Sequence, residues 1–262
     1  QRWGQKMGDV KTLDMMLGAL HCPFGTGHMG VTAENVAKEH AITRKHQDAF
    51  ALESQKRAAA AISEGRFIDQ ITPIETKIKR DLVNFSIDEH PKDTTSETLA
   101  GLRTVFQEGG TVTAGNASGI NDGAAAALVM SDKKAIELDL EPIARIVAHC
   151  SYAHEPEWFT TAPGEAIKLV LKKAGMNSNE IDLWEINEAF GPVVMAAINE
   201  FKLDHNKVNI NGGAIALGHP IGCSGARILT TLVHAMIKNN AHTGLATLCI
   251  GGGEASSILV TR

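Results

Sequence analysis

The sequence predicts an α/β protein in which helices pack on a sheet in layers. From residue 143 onward, short apolar runs typical of strands alternate with longer segments of helical periodicity. Glycine-rich turns follow two of these runs, at 211–225 and 251–253. This alternation favours a sheet covered by helices, because each amphipathic helix must bury its apolar side. Crossovers between parallel strands should be right-handed.

Helices dominate the prediction for the beginning of the chain. Residues 1–31 form short, irregular segments punctuated by glycine. One helix is expected over 31–40 and a longer one over 44–64. Thr43 is a suitable N-cap for the longer helix and Gly65 a suitable stop. This helix is rich in alanine and polar on one face, so it should pack against other helices.

The middle of the chain, residues 66–113, shows little regular periodicity. So long an irregular stretch is usually a functional or oligomer-forming excursion. The alternative is a surface insertion without a role. A turn of small residues follows at 111–119, and the apolar run at 124–130 then predicts a fully buried strand. A short helix is expected over 132–138.

The rest of the chain alternates regularly between the two kinds of element. Strands are predicted at 143–149, 181–185, 208–210, 245–250 and 255–260. Helices are predicted at 164–175, 190–200 and 226–239. The last two strands should form a hairpin-like pair around three consecutive glycines.

The composition is that of an ordinary globular protein. Hydrophobic residues make up 44% and charged residues 21% of the 262 residues. The net charge of −5 argues against nucleic acid or an anionic membrane as the main partner. No apolar run approaches the length of a transmembrane helix. The four cysteines lie far apart without a CxxC pair, so we expect free thiols and a cytoplasmic location.

The densest group of potentially reactive residues lies in the glycine-rich segment 209–227. His219 stands between Gly218 and Pro220, which predicts a rigid, narrow turn. Cys223 follows at the start of a predicted helix, where the helix dipole would lower the pKa of the thiol. From spacing alone, Cys223 is therefore a candidate nucleophile. A small buried hydrophobe and, more weakly, a metal site with His219 are the alternatives.

Two further polar groups follow predicted strands. Cys249 directly precedes three glycines whose N–H groups could bind an oxyanion, although it could also be a small buried hydrophobe. Asn187 comes after the strand at 181–185, where side chains often line a site in α/β folds. A helix N-cap is the alternative role of Asn187. The glycine-rich segments match neither a dinucleotide fingerprint nor a P-loop.

Five short motifs occur in a fixed order along the chain. They are His28-Met29-Gly30, Ala114-Gly115-Asn116-Ala117-Ser118-Gly119, Asn187-Glu188-Ala189-Phe190, Asn211-Gly212-Gly213 with Gly218-His219-Pro220, and Cys249-Ile250-Gly251-Gly252-Gly253. In order and spacing the chain resembles the thiolases, specifically those of the acetyl-CoA acetyltransferase type, over essentially its whole length. The resemblance implies the C-terminal half of a layered α-β-α-β-α fold with an α-rich loop domain.

The resemblance also implies a division of the chain into three parts. These are a loop domain with coenzyme A contacts at 1–120, a remnant of the N-terminal core half at 121–141, and a C-terminal α/β domain at 142–262. Thiolases carry their nucleophilic cysteine in an N-terminal α/β half that precedes the loop domain. No cysteine here matches that position, since Cys22 is not at a strand-to-helix elbow. We therefore expect the chain to be inactive alone.

The activity implied by the resemblance is the condensation of two acetyl-CoA molecules to acetoacetyl-CoA, or the reverse thiolysis, in fatty acid and lipid metabolism. His219 matches the histidine that activates the nucleophilic cysteine, and Cys249 matches the general acid/base. Asn187 matches the asparagine that holds a water in the first oxyanion hole, and Gly251 matches one donor of the second. Cys223 then becomes a neighbour of the site. No cofactor is implied, because the coenzyme A thioesters are substrates.

Seven positions match the lining of the family's coenzyme A channel. They are Leu20, His28, Met29, Lys92, Ala114, Ser118 and Phe190. Lys92 stands where many relatives place an arginine near the nucleotide phosphates, and a lysine lacks the bidentate geometry of arginine. Phe159 lies in a stretch where many relatives carry a methionine near the acyl end, which favours a short acyl chain.

The partners implied by the resemblance are acetyl-CoA or acetoacetyl-CoA, the missing N-terminal thiolase half, and further copies of the chain in a homotetramer. Neither nucleic acid nor a membrane is expected as a partner. A non-catalytic fragment that binds coenzyme A or acyl groups, or an assembly subunit, is the alternative function.

Overall fold

Residues 8–262, the part of the chain that the computed structural model describes, contain nine α-helices and six strands. The helices are α1 (Met15–Ala19), α2 (Met29–Glu39), α3 (Arg44–Ser63), α4 (Ser96–Ala100), α5 (Asp132–Glu137), α6 (Ala162–Ala174), α7 (Gly191–Phe201), α8 (Ala214–Leu217) and α9 (Ser224–Lys238). The strands are β1 (Ile74–Ile78), β2 (Asp81–Phe85), β3 (Arg145–Ala153), β4 (Leu183–Ile186), β5 (Thr243–Ile250) and β6 (Glu254–Thr261). Single-turn or short 3-10 helices lie at Ile68–Gln70, Pro156–Thr161, Ser178–Glu180 and His205–Lys207.

The second half of the chain is organised around a four-stranded sheet in the order β3-β6-β5-β4. β4 and β5 are parallel, whereas β6 is antiparallel to both β3 and β5. Side chains of β5 alternate between two apolar clusters: Leu245 packs with α6 and α7, and Ala246 packs with α9. Successive residues of a strand point to opposite faces, so helices cover both faces of the sheet. The predicted layered α/β class is confirmed.

Helix boundaries follow the local signals in the sequence. The side chain of Thr43 accepts a hydrogen bond from the backbone N–H of His46 and caps α3, as predicted. Gly65 has a φ of +68° just beyond that helix. α3 packs mainly against other helices, namely α4, α7 and α8. α6 starts with Pro163 in its first turn and ends at Gly175 in the left-handed conformation.

The apolar run at 124–130 is not a strand, and this prediction was wrong. The run has no regular secondary structure, and Leu128 and Val129 are 83% and 67% exposed. A buried strand needs neighbouring strands to pair its backbone groups. Within residues 8–262 no strand pairs with this run.

The predicted strand at 208–210 is reduced to one bridge, between Val208 and Trp184. The reason is Asn209, whose φ of +48° turns the chain away from the strand conformation. Its side-chain amide instead makes two hydrogen bonds of 2.8 Å with the backbone of Ile186, one to the N–H and one to the carbonyl. A side chain thus replaces the backbone pairing expected at the edge of β4.

The stretch predicted as irregular, 66–113, contains the antiparallel hairpin of β1 and β2 and the short helix α4. Nearly every residue of the hairpin is exposed. Because neither face of the hairpin is buried, its sequence lacks the apolar alternation that identifies a half-buried strand.

Candidate active site

A narrow turn, supported by a neighbouring segment, positions His219. The backbone N–H of His219 donates to the carbonyl of Gly119 at 3.1 Å, and His219 forms a bridge with Ile120. Gly218 has a φ of +94°, and a Cβ there would collide with the side chain of Asn121. The turn therefore requires glycine before the histidine, as predicted.

The imidazole of His219 contacts one polar side chain on each side of the ring. Nδ1 lies 2.5 Å from Oγ of Ser224, and Nε2 lies 3.3 Å from Nδ2 of Asn187. Burial lowers the pKa of His219 to about 4, and the positive charge of Arg227 acts in the same direction. The ring is therefore neutral at pH 7 and has a lone pair with which to accept a proton.

Asn187 extends the end of β4 rather than capping a helix. Its backbone N–H donates to the carbonyl of Thr247 on β5 at 3.0 Å. The N-cap of α7 is Phe190, and no side chain caps that helix. Asn187 is 1% exposed, and within residues 8–262 its Oδ1 is buried without a hydrogen-bond partner. An orphaned buried acceptor is unusual and typical of functional sites.

Cys249 lies near the end of β5, the strand that runs parallel to β4. It is buried and pairs with Ala255 of β6. Burial raises the pKa of the Cys249 thiol to about 12, so the resting side chain is protonated. Because the carboxyl ends of parallel strands meet at one edge of a sheet, Cys249 and Asn187 lie at the same edge.

The glycines after Cys249 allow a tight approach of other segments. A Cβ on Gly251 would lie 2.8 Å from Cε of Met29, and a Cβ on Gly253 would collide with the carbonyl oxygen of His154. Gly252 and Gly253 have φ values of +95° and +97°. The triple glycine is therefore a requirement of the hairpin turn as well as a possible source of oxyanion donors.

An apolar wall connects the beginning of the chain to Cys249. Met29, Phe190 and Cys249 belong to one buried cluster. Phe106 packs against this cluster, stacked on the ring of His28 at 4.6 Å between centroids and edge-on to Phe190 at 6.0 Å. The sequence reasoning missed Phe106, whose only signal was an aromatic residue in a polar stretch.

The predicted channel residues fall into two groups. Leu20 and Ser118 adjoin the apolar wall, since the carbonyl of Leu20 accepts from the N–H of Met29 and Ser118 donates from both its N–H and its Oγ to the carbonyl of Ala189. Ala114 and Lys92 instead line a surface pocket that includes neither His28 nor Phe190. Lys92 is exposed, so its ammonium group can meet an anion at the surface.

A buried carboxylate that the sequence reasoning missed joins several segments beneath the site. Glu188 accepts hydrogen bonds from the hydroxyl of Ser54, from Nδ2 of Asn209 and from the N–H of Ile215, at 2.6, 2.9 and 3.2 Å. Burial raises the pKa of Glu188, while these hydrogen bonds oppose the shift. Gly213 is needed here because its Cβ would collide with the carboxylate.

A second buried acid, Glu185, lies in the middle of β4. Burial raises the pKa of Glu185 to about 8, with Arg227 opposing the shift and Glu188 adding to it. Nε and Nη1 of Arg227 are buried and have no hydrogen-bond partner among the described residues. A glutamate inside the apolar run Leu-Trp-Glu-Ile was the available signal for this group.

The lowering of the thiol pKa predicted for Cys223 was wrong. Cys223 does precede α9, but burial raises the pKa of its thiol, and only Arg227 opposes the shift. Desolvation disfavours the thiolate and sets the direction of the shift. No thiol in the described part of the chain forms a hydrogen bond with His219.

Residues 8–262 contain neither a metal-binding cluster nor a membrane-spanning helix. No three or more His, Cys, Asp or Glu side chains are grouped there so as to hold a metal ion. None of the helices in that range combines the length and the apolar character that crossing a membrane requires.

Comparisons with known proteins identify the family. Residues 1–133 match the family model for the thiolase N-terminal domain, and residues 140–262 match the model for the thiolase C-terminal domain. The chain belongs to the thiolase family. Its loop-domain and C-terminal boundaries at 120, 141 and 142 remain predictions.

Similar thiolases are known in sequence and in structure. An acetyl-CoA acetyltransferase of Thiocystis violacea is 52% identical over all of this chain and 67% of the relative, and one of Escherichia coli (strain K12) is 48% identical with the same coverage. The crystal structure of the Bacillus anthracis acetyl-CoA acetyltransferase matches with a TM-score of 0.95 and 44% identity, over 99% of this chain and 66% of the other. Human mitochondrial 3-ketoacyl-CoA thiolase in complex with CoA matches with a TM-score of 0.90 and 38% identity, over 100% of this chain and 66% of the other. This thiolase chain therefore spans about two thirds of the length of its relatives.

Proposed function

We propose that this thiolase chain serves acetyl transfer between coenzyme A thioesters, condensing two acetyl-CoA to acetoacetyl-CoA or running the reverse thiolysis. The observation that carries the proposal is the meeting of two chemical groups at the carboxyl edge of the parallel strands β4 and β5. One is the pair Asn187 and His219, and the other is Cys249 with the glycine turn behind it.

His219 is proposed to take the proton from the thiol that becomes acylated. Its low pKa makes the free imidazole a weak base, so the imidazolium needs a thiolate beside it to be stable. Asn187 supports this step, because its buried Oδ1 can accept from a water and its Nδ2 orients the ring. That water and the imidazolium formed by the proton transfer would together donate to the thioester oxygen.

Cys249 is proposed as the second acid/base. Acyl transfer releases coenzyme A as a thiolate, which can take up the proton of Cys249. The resulting Cys249 thiolate has a high proton affinity, since burial raises the pKa of this thiol to about 12. Removing a proton from the weakly acidic α-carbon of acetyl-CoA needs such a strong base. The N–H of Gly251 is proposed as one donor of the second oxyanion hole.

The acylated thiol is proposed to come from the N-terminal thiolase half rather than from the cysteines described here. Cys150 donates to the carbonyl of Ala166, Cys223 is buried with a raised pKa, and Cys22 lies in the apolar wall. None of these environments pairs a thiol with His219. Coenzyme A would lie against His28, Met29, Ser118 and Phe190, with its phosphates towards Lys92.

Exchange of label between acetyl-CoA and acetoacetyl-CoA tests the proposal. We expect exchange when the 262-residue chain is combined with an N-terminal thiolase fragment, and none with either part alone. Binding of coenzyme A without exchange in the combined sample would favour the alternative, a non-catalytic binding or assembly subunit.

The proposal also includes a cytoplasmic location and a homotetramer. The exposed β1–β2 hairpin is proposed as the contact between subunits.

A further inference from the structure

A buried serine holds the imidazole of His219 on the side away from Asn187. Ser224 is 0% exposed, in the first turn of α9. Its Oγ lies 3.0 Å from the carbonyl oxygen of Pro220 and 2.5 Å from Nδ1 of His219. A carbonyl oxygen only accepts, so the single hydroxyl proton of Ser224 goes to Pro220. The short contact with Nδ1 then requires the ring to be the donor.

The opposite side of the ring leads to the same proton position. Nδ2 of Asn187 faces Nε2 of His219 at 3.3 Å, and an amide nitrogen only donates. In this orientation of the amide Nε2 accepts, which it does only without a proton. The two contacts on opposite sides of the ring are both satisfied by a neutral imidazole with its proton on Nδ1.

We propose that Ser224 is a positioning residue that fixes His219 as the Nδ1–H tautomer and so keeps Nε2 unprotonated and able to take up a proton. The tautomer is a property of this chain alone. The use of Nε2 as the base for a thiol rests on the proposed function.

Removing the hydroxyl should release the tautomer. Without Oγ, a proton on Nδ1 would be buried without an acceptor, which is costly. Burial also disfavours the doubly protonated ring, as the lowered pKa of His219 shows. The ring would therefore move its proton to Nε2 and donate to Asn187, whose amide can rotate to present Oδ1, which is unpartnered among the described residues. In that arrangement Nε2 carries a proton and cannot take up another.

Nitrogen NMR of the 262-residue chain labelled at histidine measures the tautomer directly. His219→Gln assigns the signals of His219. In the parent chain we expect Nδ1 to resonate as a protonated nitrogen and Nε2 as an unprotonated one. Ser224→Ala should lose this single-tautomer signature, and Ser224→Cys should weaken it, because sulfur is a poor acceptor. Thr230→Ala is the matched control, since Thr230 makes the same hydroxyl contact with a carbonyl four residues earlier on α9 but does not touch the histidine.

Two results would overturn the proposal. One is a parent spectrum with the proton on Nε2, and the other is an unchanged Nδ1–H signature in Ser224→Ala. If the amide spectrum shows that Ser224→Ala does not fold, Ser224→Cys and the parent spectrum decide the question in the same way. If the combined sample shows no acetyl exchange but the NMR spectra are as expected, the proposed function is refuted and the tautomer assignment is not affected.

Discussion

Glu188 accepts a hydrogen bond from Ser54 at 2.6 Å, although the two residues are 134 positions apart in the chain. This bond joins the loop after β4 to helix α3 in the first half of the chain. The N–H of Gly213, at the start of the glycine-rich segment that carries His219, donates in turn to Oγ of Ser54. The glycine-rich segment and the loop after β4 are thus both connected to α3 through Ser54.

Glu188→Ala should destabilise the chain by about 3 kcal/mol, because it leaves three buried donors without their acceptor. Urea unfolding monitored by circular dichroism measures the loss. Glu53→Ala is the control, since Glu53 is half-exposed and pairs only with Arg57 on the same helix. Its effect should stay within about 0.5 kcal/mol. Equal losses in the two variants would contradict the structural role of Glu188.

Gly218→Ala should cost about 2 kcal/mol of folding free energy, because a Cβ is strained at a φ of +94° and collides with Asn121. Gly222→Ala is the matched control in the same segment. Gly222 is exposed, and no atom lies within 4 Å of the position that an added Cβ would take, so its substitution should be near neutral. Urea midpoints that fall together for both variants would show that the turn before His219 is not constrained.

Stability should fall with rising pH through the titration of Glu185. Burial raises the pKa of this carboxyl from 4.5 to about 8, so the folded chain binds the proton more tightly than the unfolded chain does. The stabilisation is complete below pH 4.5 and is lost between pH 4.5 and 8, by about 1.4 kcal/mol for each unit of the shift.

Glu185→Gln should weaken this pH dependence, since a neutral amide keeps the shape of the protonated acid. Glu137→Gln, at a surface residue paired with Lys134, should leave the dependence as in the parent chain. Thermal unfolding from pH 5 to 8.5 provides the comparison. A slope that is the same in Glu185→Gln and in the parent would assign the titration to another group.

Cys249→Ala should reduce condensation by about 100-fold or more in the complete enzyme, because it removes an acid/base group. Cys223→Ala should retain most of the activity. Both cysteines are buried, so a difference in activity between the two variants reflects the chemical role of the thiol and not its burial. The reassignment of the two thiols fails if Cys223→Ala is the inactive variant. Acetoacetyl-CoA formation, followed spectroscopically, is the measurement.

Local signals predicted the longer helices well. Thr43 caps α3, and Gly175 ends α6 within a residue of the expected position, because capping and left-handed turns depend only on nearby backbone. The predictions of strands were less accurate. The apolar run at 124–130 has the composition of a buried strand, but strand formation also depends on partners that composition cannot supply.

Residue types and their order were sufficient to predict the layered α/β class and the family. They also identified His219 and Cys249 as candidate catalytic residues. The tertiary structure decided which groups meet. Ser224 against His219, Glu188 against Ser54, and the opposite outcome for Cys223 all depend on contacts or on burial by distant segments. Hydrogen-bond partners and desolvation are properties of the space around a side chain, and the folded chain alone creates that space.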